Sequence, residues 1–230
     1  MVRSRNKFLG KGIYTISEAA RLTGAGRDTI SRWLLGYSYK RGGKFYERPP
    51  IFTTEFGDVD GQFTISFQDL IELLFVAKFR AKGVKWSIIH EAFKLARERF
   101  ESEHPFSAIN FKTDGQRIFE ETIIAGAVQL ADLHLNQIVI ADFIAPTLTK
   151  AIEFDTRRAT IWYPQFPSKL ILLDPQRSFG RPIVSRGSVP TEALYLAYEA
   201  EEDFGLVARQ FDLKVADVRS AVKFQERLAA

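Results

Sequence analysis

The residues with the clearest chemistry lie between Arg27 and Arg48, where Arg27, Arg32, Lys40, Arg41, Lys44 and Arg48 are accompanied by Thr29, Trp33 and Tyr37. Guanidinium and ammonium groups donate to phosphate oxygens, arginine forks also match base edges, and aromatic faces stack on bases. Such a set recognises a polyanion; it does not make or break bonds. Nothing elsewhere competes with it. Cysteine is absent, which excludes disulfides, thiolate zinc sites and cysteine nucleophiles. His90, His104 and His134 are far apart and show no ligand spacing. Glu120, Glu121, Asp132, Asp142, Glu153 and Asp155 could surround a metal, but scattered acids are ordinarily surface residues. No phosphate loop and no Ser/His/Asp arrangement accompanies them. Neither enzyme activity nor a cofactor or metal is expected.

The charge distribution points the same way. Residues 1–50 hold eleven Lys/Arg against three Asp/Glu, a net of +8, whereas residues 51–230 hold twenty-one against twenty-five, a net of −4. A basic head on a mildly acidic body suggests that one end meets a nucleic acid. A solvated tail over Arg3, Arg5, Lys7 and Lys11 accounts for four of the cations; the other seven lie in or beside patterned structure. At 46% hydrophobic residues with twenty Phe, the chain can bury more than one core. No apolar run approaches the ~20 residues of a membrane span, so a cytoplasmic protein without membrane contact is expected.

The elements that must position these cations can be read from the spacing. Ser17 can cap a helix with Ala20 and Leu22 on its inner face and Ile16 tucked in ahead. Gly24-Ala25-Gly26 supplies a tight turn, and Asp28 can cap a second helix burying Ile30 and Leu34. Two short helices across such a turn form a helix-turn-helix pattern, whose second helix enters the major groove. Its outer positions are Arg27, Thr29, Arg32 and Trp33; the plain alternative is a helical hairpin with a charged wet face. Trp33 and Tyr37 could equally pack inward. From Tyr39 to Arg48, a Gly42-Gly43 pair between aromatic and basic residues reads as a β-hairpin carrying Lys40, Arg41, Lys44 and Arg48 to phosphates. Pro49-Pro50 ends it, and residues 51–64 read as a loop leading to a short strand near Phe63.

Ser66-Phe67-Gln68-Asp69 is a capping-box signature opening an apolar helix through Phe79, with Leu70, Leu73, Leu74 and Ala77 inward. Gly83 ends it. Ser87 can cap the next helix, on which Ile89, Ala92, Phe93, Ala96 and Phe100 recur at helical spacing. Taken together, Tyr14–Ala20, the Asp28–Trp33 helix, the basic hairpin and the Ser66–Ala81 helix followed by Gly83 resemble the MerR-type winged helix-turn-helix family. The resemblance implies a DNA-binding domain over residues 13–104, preceded by a flexible basic arm over residues 1–12. The long dimerising coiled coil of effector-sensing members is not matched here, because the pattern stops near Glu103-His104-Pro105.

Residues 105–173 read as an α+β connecting region. A hairpin is expected from Ala108–Lys112 to Gln116–Phe119, a partly helical stretch from Glu121 to Phe154 interrupted near Pro146, and short strands at Ala159–Tyr163 and Lys169–Leu173. Three helical stretches close the chain: Thr191–Glu199, Asp203–Gln210 and Val215–Leu228. Gly205, Gly187 and Asp212 punctuate them, and Val215, Val218 and Val222 repeat on one face of the last. The matching residues Asp174-Pro175, Gly180–Val184, Arg186-Gly187, Val189-Pro190-Thr191, Phe204, Ala208, Phe211, Val218 and Ala221-Val222 resemble a domain typical of VapB-like antitoxins. Ser185-Arg186-Gly187 departs from that family's Gly-Thr-Arg turn. The expected fold is therefore mainly α with small β elements, ending in a homeodomain-like three-helix domain over residues 174–230.

The resemblances imply a type II antitoxin that neutralises a PIN-like ribonuclease toxin and represses its own operon as a homodimer on operator DNA. Residues 191–230 hold five basic and eight acidic residues, a poor phosphate binder on that count, so self-association or toxin docking is their expected use. Arg181 and Arg186 are the candidates for insertion among the acidic ligands of the nuclease. The alternative is a stand-alone MerR-like transcription regulator, or a recombination accessory factor, with no toxin.

Overall fold

The computed structural model describes residues 7–111, 115, 117, 118, 122 and 149–229. Its contacts cluster into two units. One holds Tyr14–Thr149 with Phe154–Ala159; the other holds Met1–Ile13, Lys150–Glu153 and Thr160–Ala230.

In the first unit, β1 (Tyr14–Thr15) leads directly into α1 (Ile16–Thr23). Thr15 is the N-cap: its hydroxyl accepts from the Glu18 amide at 3.2 Å, and the Glu18 carboxylate accepts from the Thr15 amide at 2.7 Å. This reciprocal box, Thr-x-x-Glu, takes the role expected of Ser17, which has Ala20 where the returning acid would be needed. Ile16 is accordingly the first helical residue. After Gly24, left-handed at φ 75, α2 spans Arg27–Leu35. Its N-cap is Gly26, without a side-chain cap, so Asp28 lies in the first turn and does not cap the helix. Next come β2 (Tyr37–Arg41) and β3 (Lys44–Arg48), then β4 (Gly57–Val59) and β5 (Gln62–Ile65). The stretch expected as a loop before Phe63 thus contains a second hairpin, and β5 also pairs with β1 through Tyr14 and Ile65.

The core of this unit is built on α3 (Phe67–Ala81) and α4 (Trp86–Phe100). Ser66 and Asp69 form the expected capping box. Ser87 does not cap α4; Lys85 holds that position without a side-chain bond. Phe75, Phe79, Phe93, Phe106 and Phe111 interlock, with Phe106 4.7 Å from Phe111 and 5.3 Å from Phe93. Edge-to-face and tilted aromatic pairs of this kind add to the apolar area they bury. Ile109–Phe111 and the described residues Gly115, Arg117, Ile118 and Thr122 are helical, with the Thr122 hydroxyl donating to the Ile118 carbonyl at 2.8 Å. The hairpin expected from Ala108 is therefore absent: Phe111 and Ile118 both lie inward at helical spacing, and β alternation would have placed them on opposite faces. Most of the Glu121–Phe154 stretch, with Pro146, lies outside the described residues.

Two acids sit inside this unit. Asp69 accepts from the Ser66 amide at 2.9 Å, the Glu55 amide at 3.1 Å and His104 Nε2 at 2.8 Å. Glu72 accepts from the Ser107 amide at 2.7 Å and the Phe106 amide at 3.3 Å. Burial pushes the Glu72 carboxyl up to about 7, against the opposing pull of His104 and those amides. Burial depresses the His104 imidazole, but the Asp69 bond and the neighbouring Glu72 outweigh it and leave His104 above its ordinary value.

The second unit has β8 (Ile171–Leu172) paired antiparallel to β9 (Ile183–Val184), followed by α5 (Thr191–Glu201), α6 (Phe204–Gln210) and α7 (Val215–Ala229). Strands β6 (Ile152–Phe154) and β7 (Ala159–Trp162) form a small sheet. Of the arm expected over residues 1–12, residues 7–12 belong to this unit, and the next amide, Ile13, donates to the Phe179 carbonyl at 3.0 Å. Val184, Leu194, Val207, Ala208, Val218, Ala221 and Val222 make the core. Asp203 caps α6 by accepting from the Gly205 and Leu206 amides, so Gly205 is an early helical residue and not a break. Val215 is 41% exposed and leaves the stripe on which Val218 and Val222 are buried. The described chain is thus about half helical, with small antiparallel sheets.

Candidate nucleic-acid interface

α2 buries Ile30, Trp33 and Leu34 and turns Arg27, Asp28, Arg32 and Leu35 outward, with Thr29 half-buried. Trp33 takes the packed alternative: it is 9% exposed and its ring stacks on Trp86 of α4 at 5.7 Å. Its partner lies far along the chain, on the first residue of another helix. Arg27 is held at the surface by Ser17, its Nε donating to the Ser17 hydroxyl at 3.1 Å. The residue expected as a cap thus orients a cation instead.

The passage from α2 to the hairpin is one glycine long. Gly36 has φ 71, and a Cβ there would stand 2.5 Å from the Arg48 carbonyl oxygen. Both the left-handed backbone and the close approach require glycine. On the return, the Ile51 amide donates to the Trp33 carbonyl at 2.9 Å. The root of the hairpin is therefore tied to α2 from both strands.

Register decides which side chains share a surface. Tyr37 pairs with Arg48, Tyr39 with Tyr46, and Arg41 with Lys44; between them lie the pairs Ser38–Glu47 and Lys40–Phe45. Side chains alternate along a strand, and directly opposed residues share a face. One face of the ribbon therefore carries Tyr37, Tyr39, Tyr46, Arg41, Lys44 and Arg48. Its tyrosines form a run, with Tyr37 5.9 Å from Tyr39 and Tyr39 5.4 Å from Tyr46. Arg32 of α2 reaches over the Tyr37 ring at 5.7 Å, which joins this face to the outer side of the helix. The other face carries Glu47, Ser38 and Lys40, with the Lys40 ammonium 5.4 Å from the Phe45 ring centroid. Of the nine side chains expected to meet DNA, the structure brings Arg32, Tyr37, Arg41, Lys44 and Arg48 onto one continuous surface. It leaves Arg27 and Thr29 nearer the start of α2, sets Lys40 on the opposite face and buries Trp33. Tyr39 and Tyr46 were missed, although the two-residue Gly42-Gly43 turn fixes the register that reveals them.

Arg181 and Arg186 are both exposed, and each already holds a carboxylate: Arg181 is 3.3 Å from Glu192 and Arg186 4.0 Å from Asp217. The acids considered as metal ligands are otherwise engaged where they are described. Glu153 accepts from Lys169 and Tyr163, while Asp155 accepts from the Arg157 and Arg158 amides. Glu120, Glu121, Asp132 and Asp142 lie outside the described residues. Among the described residues no helix is long and apolar enough to cross a membrane.

Comparison with known proteins agrees with this geometry. Residues 12–93 match the family model described as "Putative DNA-binding HTH domain", so this stretch carries a helix-turn-helix of the DNA-binding kind. The chain is 20% identical to "Putative antitoxin VapB45" of Mycobacterium tuberculosis, over 91% of its own length and 92% of that protein. It also matches the crystal structure of Rv2018 from Mycobacterium tuberculosis with a TM-score of 0.69 and 21% identity, covering 91% of this chain and 96% of that one. At that identity the match establishes a shared fold.

Proposed function

We propose that this chain is an antitoxin that binds operator DNA as a homodimer and neutralises a PIN-like ribonuclease encoded beside it. The N-terminal module is a MerR-like winged helix-turn-helix. α2 lies in the major groove with Arg32 toward base edges and Arg27 and Thr29 beside it, while Arg41, Lys44 and Arg48 neutralise phosphates. The observation that carries the reading is the continuity of Arg32 with the cationic, tyrosine-lined face of the hairpin. Charge on that face is unpaired by any cross-strand acid, since Glu47 points to the other side. Twofold symmetry is expected because paired half-sites multiply specificity. The homeodomain-like C-terminal unit meets the toxin, with Arg181 or Arg186 entering its acidic site after leaving Glu192 or Asp217.

The test is co-expression with the neighbouring reading frame, scoring rescue of growth and recovery of a complex. Those two internal ion pairs favour a second reading, a stand-alone regulator or recombination accessory factor. Operator binding without rescue or complex would establish that second reading.

A further inference from the structure

The net charge of residues 191–230 conceals a segregation that the helices make visible. α5 and its exit carry Glu192, Glu199, Glu201, Glu202 and Asp203, all exposed, with no cation among them. From Phe204 to the end, five basic residues face three acidic ones, a net of +2. One of those acids, Asp217, is 9% exposed and lies beside Arg186. On α7 the exposed arc holds Val215, Ala216, Arg219, Lys223, Glu226 and Arg227, opposite the buried Val218, Ala221, Val222 and Phe224. Arg219, Lys223 and Arg227 follow one another at four-residue steps and so form a single stripe.

The stripe is also pre-positioned. The Arg219 guanidinium lies 4.3 Å over the Phe204 ring, which itself stacks on Tyr198 at 3.9 Å. Arg227 lies 5.3 Å from the Phe224 centroid. Such cation–π seats hold the long side chains along the surface and lower the entropy lost when they meet an anion. α6 and α7 are joined by four residues, 211–214, with Asp212 at φ 51, which is a helix-turn-helix connection. The apolar Val215 and Ala216 lie exposed at the start of α7. In a major groove they would meet thymine methyl groups, where the first residues of a recognition helix read bases.

We infer that the outer face of α7 is a second duplex-DNA contact, in which Lys223 and Arg227 meet phosphates and the Val215–Arg219 turn faces base edges. A cationic stripe with a single acid at its edge complements a polyanion better than a protein surface. The contact is independent of the N-terminal site.

The experiment measures binding of the full chain to a random-sequence DNA duplex by fluorescence anisotropy over a salt series. Lys223→Ala with Arg227→Ala should flatten the slope of log affinity against log salt by roughly 1.8 and weaken binding about sixtyfold near 0.1 M salt. Glu226→Lys, adding a cation to the same edge, should steepen it. In an Arg32→Ala/Lys44→Ala background, residual binding should persist and be lost on adding Lys223→Glu. Unchanged slopes for the α7 variants, with the fold intact by circular dichroism, would overturn the inference. Loss of a co-purifying protein with DNA affinity retained would overturn it as well.

Discussion

Lys40 and Lys44 are chemically identical, four residues apart and both exposed, yet the hairpin register places them on opposite faces. Lys44 stands across from Arg41 on the tyrosine-lined face that Arg32 joins, whereas Lys40 lies against Phe45 beside Glu47. Each lysine that neutralises a phosphate contributes about −0.9 to the slope of log affinity against log salt. Lys44→Ala should therefore flatten the slope by about 0.9 and weaken binding about eightfold at 0.1 M salt, or about 1.2 kcal/mol. Lys40→Ala should leave the slope within error, because its face turns away from the duplex. The net charge lost is the same in both variants, so long-range attraction cancels from the comparison. Titration of each protein against one duplex at four or five salt concentrations gives both slopes. Equal losses from the two variants, or a larger loss from Lys40→Ala, would refute the face assignment.

Further outcomes follow from the same contacts. Trp33→Ala should cost about 3–5 kcal/mol in urea unfolding by emptying the Trp86 stack, while the folded fraction keeps its salt slope; an altered slope would return Trp33 to the interface. Gly36→Ala should weaken DNA binding more than any single hairpin cation, since the added Cβ displaces the Arg48 carbonyl and with it the whole ribbon; unchanged affinity would show the hairpin root to be dispensable. The first unit should lose stability from about pH 4.5 to about pH 7 through Glu72, and further above pH 6.5 as His104 gives up its proton. Glu72, held at about 7, stays neutral in the folded state while the unfolded chain ionises from its ordinary 4.5 upward, so folding is progressively penalised over that interval. His104, raised above 6.5, adds a stabilisation that is full below that value and lost as pH rises through its folded value. Glu72→Gln should remove the carboxyl share, a few kcal/mol, and flatten the profile in urea denaturation; a profile as steep as wild type would place the dependence elsewhere.

Much of this architecture is legible from local chemistry. The Ser66 box, the Gly42-Gly43 turn and the periodic apolar stripes of α4 and α7 depend on neighbours within a few residues. The Thr15-x-x-Glu18 box was equally local, and Ser17 draws attention from it only because serine is so common a cap. What spacing cannot supply is long-range partnership. Trp33 is buried because Trp86 arrives from another helix, and Ile109–Phe111 are helical because the phenylalanine cluster needs both Phe106 and Phe111 on one side. The interface was half visible. Its cations could be counted from the chain, but Lys40 separates from Lys44, and Tyr39 joins Tyr46, only once register is applied. Averaging charge over residues 191–230 hid the cationic side of α7 for a related reason, since charge belongs to faces and not to segments.

The central claim is that one surface, running from the outside of α2 onto the tyrosine side of the hairpin, is where DNA is held. Backbone and side-chain NMR shifts of the full chain, followed through titration with an operator duplex, test it residue by residue. The account predicts the largest changes at Arg27, Arg32, Tyr37, Tyr39, Arg41, Lys44 and Tyr46, with Lys40 and Phe45 little moved. Changes centred on Lys40, Phe45 and Glu47, or none along α2, would contradict it.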